Sequence, residues 1–144
     1  MSAAYLLDTN VLSELMRREP AQALLGWLTA RPGATLYCSS ITQGEILLGI
    51  ALMPLGKRRS GLAGQAEAMF KADFAGRCLT FDARAAVHYA LLVAHRQQAG
   101  RPISTEDAQI AATAIAADMP VVTRNSKDFE GIDGLSVINP WQLQ

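Results

Sequence analysis

The sequence predicts an α/β fold in which helices pack on a small, mainly parallel sheet. Short apolar or β-branched runs alternate along the chain with stretches of helical apolar spacing, a pattern typical of parallel sheets with right-handed crossovers. Half of the residues are hydrophobic but only 6% are aromatic, so Ala, Leu, Ile and Val fill the core. The length of 144 residues favours one domain.

The first half of the chain contains two predicted strands and four predicted helices. The strands, at 5–7 and 35–38, are short and rich in apolar, aromatic or β-branched residues. An Arg-Pro-Gly sequence at 31–33 and a Pro-Leu-Gly sequence at 54–56 interrupt the helical pattern. The predicted helices are 10–18, 20–30, 41–53 and 57–74.

The second half alternates three short predicted strands with two long predicted helices. Asp82 caps the first of these helices, which ends at Gly100. Ser104 begins the second helix, which extends to about residue 118. The predicted strands are 78–81, 120–123 and 135–138.

Charge and composition argue against several classes of protein. The formal net charge is zero, which does not indicate a strongly basic nucleic-acid binder. We interpret the basic runs at 17–18 and 57–59, and the pair Arg124 and Lys127, as solvated surface, with a local nucleic-acid patch as the alternative. Residues 1–4 are too few for a secretory leader, and no apolar run reaches the roughly 18 residues of a membrane span. A cytoplasmic location without membrane association is therefore predicted.

The cysteines and histidines do not indicate a site of their own. Cys38 and Cys78 lie in strand-like segments, which favours small buried side chains over a disulfide or a zinc site. His88 and His95 are two helical turns apart, too far to bind one ion together. The sequence shows no Ser-His or Cys-His arrangement for nucleophilic catalysis and no glycine-rich nucleotide-binding motif.

Three acidic residues occupy segments that a compact apolar domain would normally keep free of charge. Asp8 follows the first predicted strand, Glu45 lies inside an apolar helix, and Asp107 lies in the first turn of the helix before the fourth strand. An ionised carboxylate is costly to bury without a partner, and no basic residue stands beside any of the three. Ligands of parallel sheets bind beyond the carboxyl ends of the strands, where Asp8 and Asn125 are expected.

Each of these acids also has a structural explanation. Asp8 is placed to cap a helix, although Thr9 or Asn10 can take that role and leave Asp8 free. Glu45 shares a helical stripe with Thr42 and Gly49, which faces either solvent or a polar cleft. Asp107 follows Ser104 at the spacing of a capping box. Taken together, the three acids favour a functional role more strongly than any one of them.

Converging carboxylates point to a divalent cation. Carboxylates that lie close together repel one another and raise their pKa values, whereas a bound cation keeps them ionised. Mg²⁺ and Mn²⁺ prefer oxygen ligands, lower the pKa of bound water and neutralise charge on phosphate oxygens. The three acids therefore predict metal-dependent hydrolysis.

Four segments carry a resemblance to a known family. Residues 6–12, 41–49, 107–114 and 122–129 resemble, in order and spacing, the motifs of PIN-domain ribonucleases, and within them the VapC-type toxins of type II toxin–antitoxin pairs. The sequence Asn-Pro-Trp at 139–141 is similar to the FitB-like branch. The resemblance implies a three-layer α/β/α sandwich with a mainly parallel five-stranded sheet, formed as a single PIN domain by residues 1–144.

The resemblance also implies the site residues. The metal-binding acids of the family correspond here to Asp8, Glu45 and Asp107. The fourth acidic position of the family is Asn125 here, which leaves one metal or two open, with Asp128 as a substitute ligand. Thr9 and Thr123 are expected to orient water or carboxylates. Arg124 and Lys127 are expected to contact RNA.

The implied activity is Mg²⁺-dependent endoribonuclease cleavage, with Mn²⁺ able to substitute. Water is the expected nucleophile, so the RNA products are predicted to carry 5′-phosphate and 3′-hydroxyl ends. The implied partners are RNA, a second copy of the chain, and a cognate antitoxin whose tail covers the acidic site. Operator DNA is expected to bind only through the antitoxin.

Two alternative functions remain open from the sequence. The first is a catalytically inactive PIN scaffold that binds a partner or RNA, which Asn125 supports. The second is a phospho-receiver signalling domain that uses Asp8, Asp82, Thr123 and Lys127. The receiver hypothesis leaves Glu45 and Asp107 without a role.

Overall fold

The computed structural model describes residues 3–142 and contains one five-stranded sheet within that range. Every pairing between neighbouring strands is parallel, and the strand order is β3-β2-β1-β4-β5. The predicted parallel sheet is therefore confirmed. The strands are β1 (Ala4–Leu7), β2 (Thr35–Ser39), β3 (Cys78–Leu79), β4 (Val121–Val122) and β5 (Val137–Ile138).

Six α-helices flank the sheet within the described residues. The predicted helix at 57–74 forms as α4 and continues into a π-helical turn, Met69–Asp73. A 3-10 turn, Ser126–Asp128, follows β4. The helices are α1 (Thr9–Leu15), α2 (Gln22–Thr29), α3 (Ser40–Ala51), α4 (Lys57–Ala68), α5 (Ala83–Gln98) and α6 (Thr105–Ala116).

Several elements are shorter than their side-chain patterns predict. β3, β4 and β5 have two paired residues each instead of four, although backbone hydrogen bonds continue beyond the paired residues, as from Thr123 N to Ile138 O (2.9 Å). Helix α1 ends at Leu15 instead of extending to residue 18. Its end coincides with a hydrogen bond from Ala21 N to the Glu14 carboxylate (2.8 Å), which folds the chain back toward the helix.

Side chains that alternate along the central strands divide the core into two layers. In β1, Leu6 packs with the α5 and α6 side of the sheet, whereas Leu7 packs with the side formed by α1 to α4. Val121 and Val122 of β4 divide in the same way. These two buried clusters, one on each face, confirm the predicted three-layer α/β/α arrangement.

The order of the strands places a topological switch point between β1 and β4. From β1 the chain builds outward through β2 to β3, and then returns to add β4 and β5 on the other side. Connections on the two sides diverge at such a point and leave a crevice at the carboxyl ends of the strands. The same order differs from the 2-1-3-4-5 order of the receiver fold, which weakens the phospho-receiver hypothesis.

Four residues of the predicted single domain lie outside the described residues: 1, 2, 143 and 144. Residues 1 and 2 are half of the 1–4 segment that was judged too short for a secretory leader. Among the helices between residues 3 and 142, none combines the length and apolar character needed to cross a membrane.

Candidate active site

An open cavity of about 560 Å³ lies at the carboxyl ends of β1 and β4, at the switch point. It contains the three predicted metal ligands and the predicted assisting residue Asn125, although these four come from separate parts of the chain. Its lining consists of Asp8, Thr9, Asn10, Ser13, Glu14, Arg17, Glu45, Asp107, Asn125 and Asp128.

Asp8 is the most firmly held residue of this cavity. Its backbone N–H donates to Val122 O (2.9 Å), which extends the pairing of β1 with β4. Its Oδ2 accepts from Thr123 Oγ1 (2.8 Å) and Asn10 Nδ2 (3.2 Å). Its Oδ1 accepts from Thr9 N (2.8 Å), so Asp8 itself caps α1. The expectation that Thr9 or Asn10 caps the helix and leaves Asp8 free is therefore wrong.

Burial makes the ionised form of Asp8 costly. The residue is 4% exposed, and this burial is the main reason that the pKa of its carboxyl is raised to about 6. The hydrogen bonds from Thr123 and Thr9 oppose the rise, whereas the charges of Asp107 and Glu45 add to it. The three acids are therefore close enough to influence one another, and a cation in the cavity would favour their ionised forms.

Glu45 reaches the cavity from α3 and is held through Thr9. The Thr9 hydroxyl lies 2.7 Å from Glu45 Oε1 and 2.9 Å from Thr42 Oγ1. Thr42 is fully buried, and its backbone N–H donates to Ser39 Oγ at the start of α3. Glu45 itself is exposed at the cavity, so the expectation of a costly buried charge is wrong for this residue.

Asp107 lies in the first turn of α6, where the backbone fixes its position. Its N–H donates to Ser104 Oγ (3.1 Å), so Ser104 caps the helix as predicted. Burial is the main cause that raises the pKa of the half-buried Asp107 carboxyl, and the charges of Asp128, Glu45 and Glu106 raise it further. The Ser104 hydrogen bond has the opposite effect on this pKa.

The loop after β4 joins the cavity through a buried hydroxyl. Thr123 Oγ1 donates to Asp8 and accepts from Asn125 N (3.0 Å), so it connects the loop to the strand-end acid. Asn125 and Asp128 are both exposed at the cavity. Asp128 N donates to Asn125 O (3.0 Å), so Asp128 both forms the expected turn and lines the site.

The comparisons with known proteins agree with this geometry. The model of the PIN domain family matches residues 5–135. The chain belongs to the PIN domain family.

Relatives match this PIN domain over nearly their full length. VapC ribonuclease Y4jK from Sinorhizobium fredii is 45% identical over 94% of this chain and 96% of its own. Toxin FitB from Neisseria gonorrhoeae is 38% identical over 94% and 97% of the two chains. A chain in the structure of FitAB bound to an IR36 DNA fragment is 38% identical, covers 97% of each chain and superposes with a TM-score of 0.86.

Sequence patterns missed the part that two residues play in the cavity of this PIN domain. Glu14 is 6% exposed, lines the cavity and forms an ion pair with Arg17 (3.3 Å). Its position among the apolar residues of α1 is the same signal that identified Glu45. Asn10 was identified only as a possible cap, although its side chain joins Asp8 to the loop by also accepting from Arg124 N (3.1 Å).

The residues predicted to contact RNA lie away from the cavity lining. Arg124 is exposed, with its guanidinium 5.1 Å from the centre of the Trp141 ring, and Lys127 is also exposed. The basic residue of the cavity is Arg17 instead. It also lines an adjoining groove of about 550 Å³ that contains Arg18 and Arg58, two residues from the basic runs interpreted as surface.

The phospho-receiver hypothesis finds no support in the position of Asp82. Its Oδ1 accepts from Ala85 N (3.0 Å), which confirms it as the cap of α5. Asp82 lines a separate small cavity with Thr80, beyond the edge strand β3. It therefore does not share a site with Asp8.

The donor chemistry of the cavity fits a hard divalent cation. Carboxylate and amide oxygens are the ligands that Mg²⁺ and Mn²⁺ prefer. Between residues 3 and 142, however, no three His, Cys, Asp or Glu side chains lie close enough together to hold an ion as they stand. Glu45 and Asp128 are exposed and Asp107 is half-buried, and binding of a cation near Asp8 would require these side chains to turn toward it.

Proposed function

We propose that this chain is a metal-dependent endoribonuclease and the toxin of a toxin–antitoxin pair, formed as a single PIN domain. The observation that carries the proposal is the convergence of Asp8, Glu45, Asp107 and Asn125 on one cavity at the switch point of the sheet. None of the three acids forms an ion pair with a described basic residue. A cavity of this composition is suited to a cation and a phosphate, not to a folding role.

The names of the relatives support the biological part of the proposal. One is named a VapC ribonuclease, another a toxin, and a third similar chain belongs to a complex with DNA. We therefore propose RNA as substrate and a cognate antitoxin as partner, with operator DNA bound through that partner. We further propose that the toxin forms a homodimer and acts in the cytoplasm.

Asp8, Glu45 and Asp107 are the proposed ligands of Mg²⁺, which Mn²⁺ can replace, and Asn125 assists through its amide oxygen. When bound, the cation supplies positive charge that neutralises phosphate oxygens and acidifies water. The protein supplies orientation: Thr123 and Asn10 fix Oδ2 of Asp8. Thr123 and Asn10 would not bind the metal themselves, but they would keep the Asp8 carboxylate in the position that binds it.

The RNA backbone is proposed to cross the groove that adjoins the acidic cavity. Arg17 lines both spaces, and Arg18 and Arg58 line the groove, so three cations can contact phosphates beside the acids. Arg58 lies in the first turn of α4, where a cation is unfavourable for the helix dipole. Arg124 and Lys127 remain the alternative phosphate contacts.

The test is cleavage of RNA by the Asp8→Asn variant beside the native chain. We expect Mg²⁺-dependent cleavage by the native protein, inhibition by EDTA, and loss of at least about 100-fold in the variant, because a direct metal ligand is removed. Asp133→Asn, a change at an exposed acid outside the cavity, is the matched control and should cleave normally. Products with 2′,3′-cyclic phosphate ends, or equal cleavage by the Asp8 variant, would contradict the proposal.

The inactive scaffold is the second candidate, because an amide occupies position 125 where the family pattern has an acid. This hypothesis predicts that the native chain binds RNA or its partner but does not cleave RNA with Mg²⁺ or Mn²⁺. An Asn125→Asp variant that gains cleavage would support the scaffold hypothesis and identify the missing ligand. Metal-dependent cleavage by the native chain, absent from the Asp8 variant, would exclude it.

A further inference from the structure

The two cysteines of the chain face one another across the edge of the sheet. Cys38 in β2 and Cys78 in β3 are direct partners in the parallel register, although 40 residues separate them in sequence. Both are free thiols, and the Cys78 thiol is close enough to contribute to the raised pKa of Cys38. Sequence patterns identified both as small buried residues, but gave no indication that they are neighbours.

The backbone spacing at this position suits a disulfide. Neighbouring strands lie about 4.8 Å apart, and disulfides join residues whose Cα atoms are roughly 4.4–6.8 Å apart. Direct partners in a sheet also project their side chains to the same face. The paired strands therefore bring the two sulfurs together without a change in fold.

The two thiols differ in accessibility, which sets the order of reaction. Cys38 is fully buried, and this burial together with the neighbouring Cys78 thiol raises its pKa to about 12. Cys78 is partly exposed, and its thiol donates to Gln43 Oε1 (3.6 Å). A small oxidant therefore meets Cys78 first, and Cys38 is the thiol placed to close the bond.

We propose that Cys38 and Cys78 form a reversible intramolecular disulfide that locks the edge strand β3 to β2. Strand β3 has only two paired residues and a single neighbouring strand, so a covalent bond there reinforces a short pairing at the edge of the sheet. In a reducing compartment the pair remains as two thiols, and the disulfide forms only on exposure to an oxidant.

The oxidant is a low-molecular-weight disulfide, RSSR. The Cys78 thiolate attacks one sulfur of RSSR, which releases one RS⁻ and leaves a mixed disulfide on Cys78. Cys38 then attacks the Cys78 sulfur and releases the second RS⁻. The two thiol protons pass to the departing thiolates, so two protein thiols and one RSSR give one protein disulfide and two RSH.

The test uses the reduced full-length chain and oxidised glutathione, with acid quenching and intact mass measurement. We expect the monomer to lose two hydrogen atoms without a retained glutathione, and a peptide that joins Cys38 to Cys78. Because the bond closes a loop of about 40 residues, the melting temperature should rise by up to about 10 °C and return with dithiothreitol.

Two serine variants separate the steps. Cys38→Ser should stop at a stable glutathione adduct on Cys78, whereas Cys78→Ser should not react. If Cys38→Ser does not fold, the mass of the native chain still decides the question. Two free thiols after prolonged oxidation, a persistent glutathione adduct on the native chain, or a disulfide between two chains would each overturn the proposal.

Discussion

The two sides of the acidic cavity are built in different ways. On the inner side, Asp8 is almost fully buried and its carboxylate accepts three hydrogen bonds from residues of the strand ends and α1. On the outer side, Glu45 and Asp107 project from helices and are more exposed. For the proposed metal site, the difference predicts a fixed inner ligand that costs folding energy and outer ligands that adapt to the ion.

The stability cost of the inner side depends on pH in a predictable direction. The pKa of Asp8 is 3.8 in a model compound and about 6 in the fold, so between these values the folded protein binds a proton that the unfolded chain has released. Stability is therefore present below pH 4 and is lost as the pH rises through 6. We expect the free energy of unfolding to fall by up to about 3 kcal/mol, without divalent cations, over that window.

Urea unfolding at a series of pH values, in EDTA, measures this effect. Asp8→Asn should flatten the profile and be as stable as the native chain or more stable at pH 7, because no charge is buried. Added Mg²⁺ should restore stability to the native chain above pH 6 and have little effect on the variant. A native profile that rises with pH from 4 to 7 would show that Asp8 does not carry this cost.

The orientation of the inner ligand is tested by Thr123→Val. This change keeps the shape of a fully buried residue but removes the hydroxyl that donates to Asp8 and accepts from Asn125. We expect cleavage and Mg²⁺ affinity to fall about 10–100-fold, as for other partners of metal ligands. Thr123→Ser, which retains the hydroxyl, should recover most of both. Equal loss in the two variants would indicate a packing role only.

The outer side is tested by Asp107→Asn. The variant should lose at least about 10-fold in cleavage, with a higher Mg²⁺ requirement, because one adaptable ligand is weakened. Glu106→Gln, an exposed neighbour in the same helical turn that does not line the cavity, should cleave normally. Loss of activity in both variants would trace the effect to helix α6 instead of to the ligand.

The smallest effect on RNA cleavage is expected from substitutions of basic residues in the groove that adjoins the acidic cavity. Arg17→Gln should raise KM for RNA a few-fold and reduce the salt dependence of binding by about one counterion, with kcat nearly unchanged. Lys127→Gln tests the alternative surface in the same assay. A larger effect at Lys127 than at Arg17 would move the RNA from the groove to the loop after β4.

Local patterns predicted the elements well because they depend on neighbours in sequence. The alternation of strand and helix signals located all five strands, and Asp82 and Ser104 cap their helices as predicted. The lengths of the short strands were overestimated, because strand-like residues such as Phe81 and Leu135 extend beyond the paired residues. Pairing is a property of two segments, and one segment's composition does not determine it.

The sequence by itself determined which acidic residues are candidates for a functional site, because a carboxylate within an apolar segment is recognisable from its sequence neighbours alone. Only the tertiary structure decided which of them meet. The strand order brought Asp8 to Thr123 and set Cys38 beside Cys78, and the packing of the helices placed Arg17 and the distant Arg58 on one groove. These contacts join residues that are distant in sequence. They depend on how helices and strands pack together, which the periodicity of a single segment does not determine.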